Sequence, residues 1–214
     1  MKHVIPMNPD APDRRLLSRA AALLRQGRLV AYPTDTFYAL GADPFSTEGI
    51  DRIFEAKGRP ERMALPLIAA DESSLKRCVS EFPDSAALLA AAFWPGALTL
   101  VLVAADAIPS RVLGGGRTVG VRLSSNPIAS GLAGAAGVPI VATSANLSGQ
   151  PAPSSAAEVE HAIGGSVDLI LDGGVTRGGQ ASTVLDLTTD PPRVIRSGAV
   201  PLHDVEKILG RRLA

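Results

Sequence analysis

Six short polar stretches break up an otherwise apolar chain: YPTDTFYALG (32–41), KGRPERMALPL (57–67), VGVRLSS (119–125), TSANLSG (143–149), ASTVLD (181–186) and VIRSG (194–198). Between them they carry hydroxyls (Thr34, Ser144, Ser182), one carboxamide (Asn146) and fixed positive charge (Lys57, Arg59, Arg122, Arg196). None of them pairs a nucleophile with an activating base. That inventory suits holding phosphates and a small zwitterion so that the bound reactants attack one another. Positioning and charge neutralisation can carry such a reaction unaided.

Other machinery is excluded by pattern. GGGRTVG and LDGGVTRGG are rich in glycine but lack the lysine and following hydroxyl of a phosphate-binding P-loop. The glycines of GLAGAAG have the wrong intervals for a dinucleotide fingerprint. There is no H-E-x-x-H, C-x-x-C or G-x-S-x-G. The histidines, His3, His161 and His203, stand singly, so a metal held mainly by protein ligands is not expected. The lone Cys78 in SSLKRCV reads as a packed helical residue.

Each candidate also has a plainer reading. Lys57 and Arg59 suit a helix C-terminus, where the dipole favours cations, although Gly58 and Pro60 stiffen the turn from which they project. Thr34 and Thr36 suit a turn after Pro33, and Asp35 and Asp43 suit turn carboxylates. Ser182 and Thr183 suit a strand by propensity alone. Arg122 lies in an apolar strand, where an unpaired charge is unfavourable, and that leans toward function.

The elements that must position these residues alternate. Leu16, Leu17, Ala20, Ala21, Leu23 and Leu24 predict a helix after Asp13 that ends near Gly27. A short strand in RLVAYPT stops at Pro33. A second helix holds Ile50, Ile53 and Phe54, capped by Ser46 or Thr47 and closed by Gly58. ALPLIAA, ALTLVLVA, TVGVRLS, VPIVATS and VDLILDGG read as strands, with helices around Leu75 and Leu88, in the glycine-rich NPIASGLAGAAG and in SAAEVEHAIGG. STVLDLTT and PRVIRSG form a hairpin through Asp190-Pro191-Pro192, before a last helix in PLHDVEKILGRR. The pattern predicts an α/β domain with a mixed sheet over residues 1–214.

With 214 residues and 46% hydrophobic content, the chain can bury a substantial core. The formal net charge is zero, so attraction to nucleic acid or anionic membrane requires a local cluster. The start, broken by three prolines, lacks an apolar run of signal-peptide length. No run approaches a membrane span. A cytoplasmic protein with no membrane contact is expected.

Taken in order, YPTDTFYALG, KGRP…PL, VGVRL, TSANLSG, STVLD and VIRSG resemble the successive motifs of the Sua5/YciO/YrdC family, over roughly Leu29 to Gly198. The resemblance implies one α/β domain with a twisted, mostly parallel mixed sheet, flanked by helices around a deep cationic cavity. It implies a nucleotidyltransferase that makes L-threonylcarbamoyladenylate and pyrophosphate from L-threonine, bicarbonate and ATP. Mg²⁺ would enter with the triphosphate. A separate transferase complex would then carry the threonylcarbamoyl group to an adenosine of tRNA, giving N6-threonylcarbamoyladenosine.

By motif, Lys57 and Arg59 are expected at the ATP phosphates and are the residues expected to be catalytic. Thr118, Asn146, Ser154 and Arg196 are expected on the nucleotide. Thr34, Arg122, Ser144 and Ser182 are expected on threonine, with Arg122 pairing its carboxylate. The sequence departs from the family pattern at Ala39, where glycine is more usual. It departs again at Ala69 and Ala70, where many members have a histidine. Because the chain ends at Ala214, the short, single-domain form is expected. Two alternatives stay open: a double-stranded-RNA or tRNA-binding module, and a YciO-like paralogue with another substrate.

Overall fold

The structure, a computed structural model, describes residues 3–58 and 63–214. In chain order the elements are β1 (Val4–Pro6), α1 (Arg14–Arg25), β2 (Val30–Pro33), β3 (Tyr38–Gly41), α2 (Thr47–Lys57), β4 (Leu67–Ala69), α3 (Glu72–Lys76) and α4 (Asp84–Phe93). There follow β5 (Leu98–Val103), β6 (Thr118–Leu123), α5 (Pro127–Ala136), β7 (Ile140–Val141), β8 (Thr143–Ser144) and α6 (Ala156–Ile163). The chain closes with β9 (Leu169–Asp172), β10 (Thr183–Asp186), β11 (Arg193–Arg196) and α7 (Leu202–Leu209).

The strands make two sheets, ordered β1-β9-β2-β3-β8 and β11-β10-β5-β6-β4-β7. The mixed α/β class expected from the alternating pattern stands. The sheet itself needs correcting: there are two, and they are not mostly parallel. Among the described residues four strand pairings are parallel and five antiparallel. The extra antiparallel pairs come from short returns such as β2–β3, where only four residues separate the strands. VPIVATS is also two strands, not one. β7 pairs with β4 in the six-stranded sheet, and β8 pairs with β3 in the five-stranded sheet. The chain changes sheets at Ala142.

Local signals account for the helices. The Asp13 carboxylate accepts from the Arg15 and Leu16 amides and starts α1. The Ser46 hydroxyl accepts from the Gly49 amide, and Gly58 ends α2 at φ 54°, a left-handed turn that glycine adopts without strain. α5 tolerates its glycines because of packing. A Cβ on Gly131 would lie 2.8 Å from Leu17 Cδ1, so glycine is what lets α1 and α5 approach. Their apolar faces, with Tyr32 and Leu171, form one core cluster; a larger one joins β5, β6, α2 and α4. Among the described residues no helix is long and apolar enough to cross a membrane.

Candidate active site between the two sheets

A cavity of about 400 Å³ opens where the chain passes from one sheet to the other. Tyr38 and Ala39 line it from the five-stranded sheet, Leu67 and Gly120 from the six-stranded one. Five of the sequence-predicted residues meet on its wall: Thr34, Arg122, Ser144, Ser182 and Arg196. They come from the β2–β3 turn, β6, β8, the entry to β10 and the end of β11. The polarity of TSANLSG is explained by this crossing. A segment leaving one sheet for another cannot be a uniform core strand.

Thr34 is buried and is a turn hydroxyl on the cavity wall. It lines the cavity, and its hydroxyl also donates to the Phe37 carbonyl at 2.7 Å while accepting from the Thr36 amide at 3.1 Å. Arg122 is 6% exposed, and its Nη2 pairs with Asp35 Oδ1. The Asp35 carboxylate, read from sequence as a turn group, is therefore the counter-ion of the strand arginine. The Ser124 hydroxyl donates to the same oxygen.

Across the cavity, Ser182 is held by three contacts. Its hydroxyl lies 2.9 Å from the Thr99 hydroxyl and accepts from Arg196 Nη2 at 3.0 Å, while its carbonyl accepts from Arg196 Nε at 3.0 Å. Arg196 is exposed as a residue, yet partial desolvation of its guanidinium, and then the charge of Arg122, hold it below its ordinary pKa. The two guanidinium groups thus sense each other. Thr99 was missed in the sequence. Its signal was a lone hydroxyl in the apolar run of β5.

Lys57 does not project from an exposed turn, as its sequence setting suggested. It is 3% exposed, and its ammonium turns back to the TSAN segment. There it donates to the carbonyls of Ser144 and Asn146, the latter at 2.8 Å, and to Asn146 Oδ1 at 3.3 Å. The Asn146 amide in turn donates to the Gln150 carbonyl. Lys57 and Asn146 therefore brace the segment behind Ser144, and neither is on the cavity wall. Nor are Thr118 and Ser154. Thr118 pairs with Val103 at the far end of β6, and Ser154 donates its amide to Glu158 at 2.7 Å. Arg59 lies outside the described residues.

With this geometry in view, comparison with known proteins is decisive for kinship. The Sua5/YciO/YrdC family model, described as telomere recombination, matches residues 22–198. The chain belongs to this family. Threonylcarbamoyl-AMP synthase of Pyrococcus abyssi (strain GE5 / Orsay) is 45% identical over 191 residues, covering 89% of this chain and 56% of that protein. The synthase of Bacillus subtilis (strain 168) is 43% identical over 195 residues, 91% of this chain and again 56% of the relative. The chain thus spans just over half the length of these curated relatives. A crystal structure of P. abyssi Sua5 complexed with L-threonine superposes with a TM-score of 0.94 at 42% identity, covering 99% of this chain and 62% of that one. The crystal structure of E. coli YciO gives 0.85 at 34% identity, covering 94% and 98%.

Proposed function

We propose that the chain is a threonylcarbamoyl-AMP synthase, joining L-threonine, bicarbonate and ATP into L-threonylcarbamoyladenylate with release of pyrophosphate. The observation that carries this reading is the single cavity shared by Thr34, Arg122, Ser144, Ser182 and Arg196. It is a space of small-substrate size whose polar wall offers hydroxyls and guanidinium groups and, among the described residues, no nucleophile–base pair.

In this reading Arg122 takes the threonine carboxylate, with Thr34, Ser144 and Ser182 supplying neutral hydrogen-bonding partners around it. Neutral partners beside two charged ligands avoid a surplus of buried charge. The threonine amine, once it has lost a proton, condenses with bicarbonate to a carbamate and water. A carbamate oxygen then forms a bond to the α-phosphorus of ATP as the bond to the departing pyrophosphate oxygen breaks. Such a displacement needs attacking and leaving oxygens in line and the phosphate charge balanced by cations.

Arg196 supplies one of those cations and Arg59 another. Lys57 braces the Ser144–Asn146 segment and adds positive charge behind it. Asn146, Thr118 and Ser154 belong to this reading only as outer groups on the nucleotide side. Among the described residues no group of three or more His, Cys, Asp or Glu could hold a metal ion. The Mg²⁺ is assigned to the triphosphate as it arrives, where it would screen phosphate charge. The product adenylate passes to a separate transferase acting on tRNA.

The test is pyrophosphate release from ATP with each co-substrate omitted in turn. Release that requires both threonine and bicarbonate is expected, and Arg59→Ala should lose it. Release indifferent to threonine would refute the synthase. If another amino acid replaced threonine, the result would favour a paralogue with its own substrate, as considered for the YciO branch. RNA binding that weakens steeply with salt and ignores threonine would favour the RNA-binding alternative.

A further inference from the structure

The steps above use Arg122 and leave its counter-ion without a task. The pair is deeply placed, with side chains 8% and 11% exposed for Arg122 and Asp35. Arg122 lines the cavity and Asp35 does not, so the carboxylate stands behind the guanidinium. Ser124, 3% exposed, adds its hydroxyl to the same carboxylate oxygen and accepts from the Asn126 amide at 3.2 Å. The Asn126 side chain reaches back to the Thr34 carbonyl at 3.4 Å. The result is a bracket from the β2–β3 turn of one sheet to the end of β6 in the other.

Two atoms of that bracket, Arg122 Nε and Asp35 Oδ2, are buried with no hydrogen-bond partner among the described residues. A carboxylate can take the Nε–H and Nη2–H of one guanidinium edge together, so these two atoms belong with the pairing that Asp35 makes to Nη2. A guanidinium can serve two acceptors on different edges, one fixed and one exchangeable.

We infer that Asp35, backed by Ser124, is a positioning residue that pins Arg122 through Nη2 and leaves the remaining edge of its guanidinium to the amino-acid carboxylate. The inference rests on the proposed function, because it assigns Arg122 an amino-acid ligand. It also accounts for two guanidinium groups tolerating one cavity. Asp35 balances Arg122, and Arg196 is left for phosphate.

The opposite role for Asp35 makes a different prediction. Were the carboxylate a competitor that substrate must displace, removing it would tighten threonine binding.

The experiment measures pyrophosphate release by the full chain with threonine and ATP varied separately, and with L-threoninamide, which lacks the carboxylate, in place of threonine. For Asp35→Asn we expect the KM for threonine to rise by about tenfold or more, as when a buried charge pair loses one partner. The KM for ATP should stay within about twofold, and the preference for threonine over the amide should shrink. Ser124→Ala should move threonine KM the same way by a few-fold. Thermal melts establish that each variant is folded.

An unchanged or lower threonine KM in folded Asp35→Asn overturns the inference, as does a rise shared equally by threonine and ATP. If Asp35→Asn does not fold, Ser124→Ala decides alone, and an unaltered threonine KM there overturns it. Wild-type release that ignores threonine refutes the proposed function and this inference together. Threonine-dependent wild type beside an indifferent Asp35→Asn refutes the inference only.

Discussion

Arg196 holds Ser182 at two points, its Nε on the carbonyl and its Nη2 on the hydroxyl, both at 3.0 Å. Two bonds from one rigid fork to one residue fix the plane of the guanidinium as well as its position. Arg196→Lys keeps the charge and loses that fork. The kcat/KM for ATP should fall by roughly tenfold or more, because an ammonium is a flexible point charge that does not hold the orientation the planar fork sets. Initial rates at varied ATP check this, and an unaltered ATP dependence would show that charge alone suffices.

Gly198 explains why the last motif ends in glycine. A Cβ there would stand 2.2 Å from the Ala181 carbonyl oxygen and 2.5 Å from the Ser182 carbonyl carbon, both backbone atoms with no rotamer to escape into. Gly198→Ala must push apart the two segments that hold Ser182 against Arg196. We expect a loss of about 1–3 kcal/mol in stability, typical of overpacking, together with a fall in kcat/KM. Gly210→Ala is the comparator. It has a positive φ of 65° and, among the described residues, nothing within 4 Å of an added Cβ, so it should carry local strain and leave the kinetics alone. Urea unfolding and steady-state rates on the two variants separate the effects.

Cys78 should be inert in the folded protein. It is buried, and that burial pushes its thiol up to about 11. A thiol reagent at pH 8 should label the native chain very slowly and the unfolded chain fully. The stability consequence has a definite sign. Between about pH 9, where the unfolded thiol ionises, and about pH 11, the unfolded state holds fewer protons than the folded one, so stability falls as pH rises. Urea unfolding at pH 8 and pH 10.5 should show wild type losing more stability than Cys78→Ala over that interval. Equal losses would mean that the thiol ionises normally in place.

What could be read from the sequence were features decided within a few residues. Ser46 before an apolar-periodic run and Gly58 after it specify both ends of α2, and the chain obeys them. The split of VPIVATS was not readable, because β7 and β8 are separated only by which distant strands they pair with. Nor was β3 readable, since YALG looks like a motif tail until β2 and β8 flank it. The site divides in the same way. Arg122 declared itself as a charge in an apolar strand. Its partner Asp35 lies 87 positions away, and Thr99 lies 83 positions from Ser182, distances over which one sequence carries no pairing signal. Lys57 misled for the same reason: its helix-terminal setting predicts exposure, and only the fold brings carbonyls to meet its ammonium.

Those carbonyls make Lys57 a structural residue as well as a charged one, and a set of substitutions can separate the two roles. Lys57→Ala removes the donor to the Ser144 and Asn146 carbonyls and empties the space of the stem. Lys57→Met keeps most of the stem volume and removes the donor and the charge. If the ammonium braces the segment, both variants should lose stability, on the order of 2–3 kcal/mol, because buried acceptors are left unpaired. That corresponds to a fall in thermal midpoint of about 5–10 °C for a chain of this size. Lys57→Arg should not restore it, since a planar fork does not fit a site made for a compact, three-donor ammonium. Melting curves for the three variants, read beside pyrophosphate release, decide the matter. A Lys57→Met protein that melts like wild type while losing all turnover would confine the lysine to contact with substrate.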